Sequence, residues 1–226
     1  AKLRKEDILL VLTKYSNEHV VKPKLVYISN STEIGTIYTK SELENLSQVC
    51  KENNLILFMD GARLGSAITC RENDLTLEDI SKLTDIFYIG GTKNGALLGE
   101  ALVICNKNLQ DDFRYNLKQK GAMLAKGRLL GIQFIELFKD DLFFEIGKHE
   151  NDMADILREA INNLGYDFFV NSPSNQIFPI LNNSVLNELE KYYGFSIWEK
   201  IDENRSAIRL VTSFATKKEV CEEFIK

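Results

Sequence analysis

The chain has no apolar run approaching the roughly 18 residues that a membrane-spanning helix needs, and no signal peptide opens it. It has no basic block interleaved with aromatics, and a net charge of -5 disfavours nucleic acid as its main partner. Its four cysteines, Cys50, Cys70, Cys105 and Cys221, are scattered, without a Cys-x-x-Cys pair or a companion histidine cluster. That spacing argues against the common zinc patterns and suits reduced thiols in a cytoplasmic protein. Internal repeats and low-complexity tracts are missing too. Of the two histidines, His19 lies in a polar stretch before Pro23, and His149 sits among Lys148, Glu150 and Asn151 on what reads as a solvated helix face. Neither invites a catalytic role. What is present is an ordinary globular composition, 44% hydrophobic and 27% charged over 226 residues, enough to bury a sizeable core.

Apolar strands alternate with amphipathic helices in the first half. Leu25 to Ser29 reads as a strand, and Thr39-Lys40-Ser41-Glu42 is a capping box opening a helix through about Asn53. Leu55 to Met59 is a strand, Leu77 to Leu83 a short helix, and Ile86 to Ile89 a strand whose unbroken apolar run suggests burial on both faces. Ala101 to Ile104 follows too closely for a helical crossover, which makes it the antiparallel member of an otherwise parallel sheet. Helical periodicity dominates from about Leu109 to Leu164, with an interruption near Lys139-Asp140-Asp141. The domain change is placed there, giving 1–140 and 141–226. Tyr166 to Val170, Gln176 to Leu181 and Ala207 to Thr212 are expected as strands of the second, smaller α+β domain.

Chemistry concentrates where strands end. Asp60 follows Leu55 to Met59, so its carboxylate emerges at the carboxyl end of the sheet, where open α/β sheets bind ligands. An aspartate that only caps the next turn is the plain alternative, because Asp-Gly is a common turn dipeptide. Lys93 stands in the glycine-rich turn Gly90-Gly91-Thr92-Lys93-Asn94-Gly95 after the strand Ile86 to Ile89. Most lysines are surface charges, but a lysine at such a strand end tends to be partly desolvated, which lowers its pKa and frees its lone pair for imine formation. An acid that can pair with a protonated pyridine nitrogen, with a lysine able to bond an aldehyde, is what pyridoxal phosphate chemistry requires. Arg63 and Lys93 tip Asp60 towards the functional reading.

Three ordered blocks carry a resemblance: Lys24 to Gly35, the segment Phe58-Met59-Asp60-Gly61-Ala62-Arg63-Leu64-Gly65, and Gly90-Gly91-Thr92-Lys93-Asn94-Gly95-Ala96. Together they resemble the beta-eliminating lyase and threonine aldolase family of fold-type I pyridoxal phosphate enzymes. The resemblance implies a three-layer, mostly parallel α/β sheet followed by the smaller domain. It also implies that Lys93 is the Schiff-base lysine, that Asp60 pairs with the pyridine nitrogen, that Arg63 contacts the cofactor's phenolic oxygen, and that Thr92 lies on the cofactor. Leu117-Lys118-Gln119-Lys120-Gly121 is similar to a segment whose basic residue reaches the cofactor phosphate, that of its own or of a neighbouring subunit; Lys118 stands where arginine is frequent, and a solvated helix face is the equal alternative. Ala207 to Thr212 looks like the strand whose arginine, here Arg209, grips the substrate carboxylate, a task suited to a planar guanidinium. Arg205 reads as an ordinary strand-edge charge. Glu33, in the turn after the first strand, is a further substrate-side candidate. No metal ligand is assigned.

Upstream of Lys24 there is no glycine-rich phosphate loop and no ring to stack on the cofactor, only a short amphipathic stretch. The expectation is a piece of a longer protein, lacking roughly the first third. The activity implied is that of an amino-acid lyase, with aldol cleavage of a β-hydroxy amino acid such as threonine first and β-elimination beside it. Transamination and racemisation are the alternatives on the same scaffold, and a non-catalytic piece that retains only subunit association is the alternative from another class. The partners implied are an amino-acid substrate and further copies of the chain, as a homodimer or homotetramer.

Overall fold

The computed structural model describes residues 2–226. Its first sheet contains β1 (Leu25–Ser29), β2 (Ile56–Asp60), β3 (Ile86–Gly90) and β4 (Glu100–Ile104), paired in that order. β1, β2 and β3 run parallel and β4 is antiparallel to β3, with Gly90 opposite Glu100, as the short connection requires. The helices α1 (Lys5–Lys14), α2 (Lys40–Glu52), α3 (Leu64–Thr69) and α4 (Leu77–Leu83) complete this half. The expected capping box opens α2: the Glu42 N–H donates to Thr39 Oγ1 at 3.3 Å, and the Thr39 N–H donates to Glu42 Oε2 at 2.9 Å.

Strand alternation sorts the sheet into two unlike faces. Val26, Ile28, Leu57, Met59, Phe87 and Ile89 point to one face and are buried in the main core with Leu43, Leu46 and Ile80 of the helices. Tyr27, Phe58 and Tyr88 point to the other. There the Tyr27 and Phe58 rings stack at 5.3 Å between centroids, while Tyr27 stays 55% exposed. Among the described residues this second face is only partly covered, with Phe58 and Tyr88 half-buried, whereas the apolar runs suggest burial on both faces. The reason lies in composition: aromatic and aliphatic residues occupy both faces alike, so the sequence pattern carries no alternation.

Beyond β4 the long helical region divides into α5 (Phe113–Gln119), α6 (Arg128–Phe138) and α7 (Leu142–Asn163). The break before α7 is a short 3₁₀ turn at Lys139–Asp141, with Asp140 and Asp141 in the left-handed region. α7 serves two cores. Phe143 joins the core of the first sheet, whereas Met153, Leu157 and Ile161 build a second core with Ile177 and Cys221. Its approach to α3 is close, because a Cβ at Gly147 would lie 2.4 Å from the Gly65 carbonyl oxygen.

The second sheet holds β5 (Gln176–Ile177), β6 (Ile180–Asn182) and β7 (Ser196–Lys200), each antiparallel to a central β8 (Arg205–Val211). α8 (Asn183–Leu189) and α9 (Lys218–Phe224) accompany it. Two expectations change here. Tyr166 to Val170 forms no strand, only an isolated bridge from Phe168 to Pro179. The segment Gln176 to Leu181 is split at Pro179, which has no N–H to give to a ladder. β7 was hidden in sequence by its polar, exposed ends. Among the described residues, no helix is long and apolar enough to cross a membrane.

Candidate active site

Asp60 is the last residue of β2 and lies on the open face with Tyr27 and Tyr88. Its carboxylate plays the turn-capping part and leaves its second oxygen on the open face. Oδ1 accepts the Ala62 N–H at 2.9 Å, closing the turn, while Oδ2 accepts a hydrogen bond from the Tyr27 hydroxyl. Partial burial and this hydrogen bond push the Tyr27 phenol up to about 12, and burial and Asp60 push the Tyr88 phenol up as well. Both hydroxyls therefore stay protonated as donors towards a carboxylate. Neither tyrosine was singled out in the sequence; the signal for them is that each stands two residues before the end of its strand.

The turn after Asp60 lies against the turn carrying Lys93. The Gly90 N–H donates to the Gly61 carbonyl at 2.9 Å, and a Cβ at Gly90 would sit 2.3 Å from the Ala62 carbonyl oxygen, so only glycine fits. Asn94 locks the pair: wholly buried, it donates from Nδ2 to the carbonyls of Gly90 at 2.7 Å and Ala62 at 3.2 Å. Lys93 itself is exposed, as is Thr92, which differs from the desolvated lysine expected at a strand end. The cause is local: Gly90, Gly91 and Asn94 take the buried places, and the lysine is left on the outside of the turn. Glu100, opposite Gly90, accepts the Gly91 N–H at 2.8 Å; burial raises its pKa, Lys93 opposes that rise and Asp60 adds to it. Lys93, Glu100 and Asp60 thus share one electrostatic neighbourhood.

Arg63 precedes α3. Burial lowers its pKa, the nearby Arg209 guanidinium lowers it further, and Glu33, Glu150 and Asp60 oppose both. Its Nε is buried with no hydrogen-bond partner. Arg209 reaches this neighbourhood from β8, its guanidinium 5.7 Å from the Trp198 ring centroid. Arg209 also borders an open cavity of about 380 Å³ lined by Tyr193, Cys221 and Phe224, but none of Asp60, Arg63 or Lys93 lines it. The candidate site is therefore the shelf at the strand ends, apart from this cavity.

The fold thus places Asp60, Glu33 and Arg209 in the charge environment of Arg63, and Lys93 and Asp60 in that of Glu100. Lys118, on α5, is exposed, and its side chain makes no hydrogen bond or ion pair among the described residues. Arg205 is tied to Asp202 at the surface, and His19 is exposed. His149 is not on a solvated face: its Nε2 lies 2.8 Å from the Thr216 carbonyl, and its neighbours Glu150 and Asn151 are buried against α3 and the second sheet. The polar residues of that helix segment misled the sequence reading because they face a buried polar seam rather than water.

The residues fit a pyridoxal phosphate. A strand-end carboxylate is held ready by two phenols, a lysine stands free on the adjoining turn, the glycine-lined turns allow close approach, and a buried guanidinium nitrogen lacks a partner.

Comparison with known proteins places the chain in a family. Residues 2–183 match the family profile described as beta-eliminating lyase. The low specificity L-threonine aldolase of Pseudomonas aeruginosa is 32% identical over 202 residues, covering 86% of this chain and 58% of the relative. The chain therefore spans little more than half the length of that relative. The solved structure of Leishmania major threonine aldolase superposes with a TM-score of 0.97 at 51% identity, covering 99% of this chain and 66% of that one. An aromatic aminotransferase from Pyrococcus horikoshii, 16% identical with a TM-score of 0.63 over 99% of this chain and 62% of its own, shares the fold alone. The mixed, mostly parallel sheet with its smaller second unit is the fold-type I arrangement, and the chain belongs to the beta-eliminating lyase family.

Proposed function

We propose that the chain forms part of a pyridoxal phosphate-dependent lyase that cleaves a β-hydroxy amino acid, threonine or a close analogue, to glycine and an aldehyde. The observation that carries this reading is the gathering of an acid, a lysine and two guanidiniums at one edge of the molecule, in a chain that is 51% identical to a threonine aldolase. When bound, the cofactor supplies an electron sink for the bond that breaks. The chain's own residues position it. Lys93 Nζ would hold the cofactor through its aldehyde, as an imine formed with loss of water. The Asp60 carboxylate, fixed by the Ala62 N–H and the Tyr27 hydroxyl, would accept the pyridine N–H. Arg63 would hold a cofactor oxygen and Arg209 the substrate carboxylate, with Glu33 beside them and Thr92 against the cofactor.

The same reading divides the chain at about residue 140 into a cofactor unit and a smaller substrate-side unit, joined by α7. The exposed Lys118 suits contact with the cofactor phosphate of a neighbouring copy, in a homodimer or homotetramer. Four unpaired cysteines suit a reducing, cytoplasmic setting.

Two measurements test the reading. Borohydride reduction of the cofactor-loaded protein, followed by peptide mapping, should tag Lys93; a tag on another lysine overturns the assignment. A turnover screen against threonine, serine, tryptophan and tyrosine should show aldehyde release from threonine foremost. Pyruvate or ammonia release from serine or tyrosine without aldehyde would move the reaction to β-elimination.

A further inference from the structure

Glu150 is a carboxylic acid in the middle of α7, 1% exposed, and no step described so far uses it. Its surroundings connect it to Arg63 by hydrogen bonds. The Asn175 Nδ2 donates to Glu150 Oε2 at 3.4 Å and to the Thr212 carbonyl at 2.7 Å. The Ser66 hydroxyl lies 3.1 Å from both Asn175 Oδ1 and the Arg63 carbonyl. Thr212 Oγ1 donates to the Glu150 backbone carbonyl at 2.6 Å, which ties the end of β8 to α7. Two atoms remain over in this seam: Glu150 Oε1 and Arg63 Nε are both buried without a partner.

We infer that Glu150 is a positioning residue of the carboxylate site, a buried acid held by Asn175 that leaves the Arg63 guanidinium free for a substrate carboxylate while neutral and competes for that guanidinium once ionised. The inference rests on the proposed reading of Arg209 as the group that holds the substrate carboxylate, with Arg63, proposed to hold a cofactor oxygen, beside it.

The charge inventory around Glu150 supports it. Arg63, from the start of α3, is the charged group that acts on it. The groups facing it from the other elements, Asn175, Thr212 and the Phe214 N–H, are uncharged, and His149 on its own helix turns to the Thr216 carbonyl. Arg63 in turn feels Arg209, Glu33 and Asp60. Burial without a full ion pair pushes the Glu150 carboxyl up to about 8, so it is mostly neutral at pH 7. Glu33 and Asp60 act on Arg63 beside Arg209, and a neutral Glu150 adds no further negative charge to that balance, whereas an ionised one does.

The test uses the intact, cofactor-loaded protein and a probe with neither amine nor scissile bond: 3-hydroxybutyrate, titrated calorimetrically from pH 7 to pH 9. Wild type should bind it about tenfold more weakly at pH 9, because one unit above the carboxyl's pKa only about one Glu150 in ten is neutral. Glu150→Gln keeps the shape and the Asn175 contact and should show wild-type affinity at pH 7 and a flat profile above it. Should that variant fail to fold, Glu150→Met should give the same flat profile. An unchanged alkaline loss in the substituted protein overturns the inference about Glu150 alone. If Arg63→Ala and Arg209→Ala both leave the probe's affinity at the wild-type value at pH 7, the carboxylate-site reading itself falls, and with it this inference.

Discussion

Asn94 donates to the Ala62 carbonyl across the two turns that carry Asp60 and Lys93, so the spacing of acid and lysine is set by one buried amide. Its second bond, to the Gly90 carbonyl, comes from the same nitrogen. Removing it leaves two buried carbonyls unpaired at once.

Asn94→Ala should therefore destabilise the fold by about 1–3 kcal/mol, the cost of stranding buried polar groups. Cofactor affinity should weaken with it, because the lysine turn loses its tie to the acid turn. Denaturant melts and cofactor titrations measure the two effects. Wild-type stability in the variant would show that the turns hold each other through the Gly90–Gly61 backbone bond alone.

Asp60 allows its structural and chemical roles to be separated. Asp60→Asn keeps an oxygen for the Ala62 N–H and so should preserve the turn and the melting temperature. It loses the anion opposite the pyridine nitrogen. Hydrogen bonds to charged groups contribute about 1.5–3 kcal/mol, so catalytic efficiency should drop by about ten- to a hundredfold. Asp60→Glu should retain more activity than Asp60→Ala. Equal, near-full activity in all three would reduce Asp60 to a turn residue.

How much of this was legible beforehand differs from residue to residue. Asp60 and Lys93 could be placed at strand ends because each follows an apolar run and stands beside glycine, and the antiparallel β4 because its connection is too short for anything else. Asn94 could not, since an asparagine in a glycine-rich turn looks the same whether it faces solvent or locks two loops. Glu150 and Asn151 were misread for a related reason: polarity predicts exposure only where no second polar surface is packed opposite, and the seam formed by Ser66, Asn175 and Thr212 is assembled from three distant segments. The exposure of Lys93 follows from side-chain packing inside the turn, which the order of residues does not contain.

The Glu150 carboxyl gives the fold a pH dependence of definite sign. Its folded value is raised from the ordinary 4.5 to about 8, so between these values the folded chain binds more protons than the unfolded one. Stability is then fully present below about pH 4.5 and is lost as pH rises through 8. The loss is on the order of 3 kcal/mol after allowing for relaxation around the ion. Glu150→Gln removes it. The melting temperature of the variant relative to wild type should rise between pH 5 and pH 8, by about 6–12 °C at the usual scale for a chain of this size. A difference that does not change with pH would mean that the carboxyl ionises freely in the fold.

Arg209 tests the substrate end. It comes from β8 of the second sheet, against Trp198, while the residues assigned to the cofactor come from the ends of β2 and β3. Its removal should therefore leave cofactor binding intact and act on the amino acid. A bidentate, charge-assisted contact taken from a partly buried site costs on the order of 2 to 5 kcal/mol. At about 1.4 kcal/mol per decade, Arg209→Ala should lose roughly thirtyfold or more in kcat/KM. Arg209→Lys should recover only part, because an ammonium cannot reproduce the planar fork or its stacking on the indole. Retention of the bound-cofactor absorbance band with a steep loss of kcat/KM is the expected pair of results. Loss of the band would place Arg209 among the groups that hold the cofactor, and unchanged kinetics would leave it as a strand residue packed on Trp198.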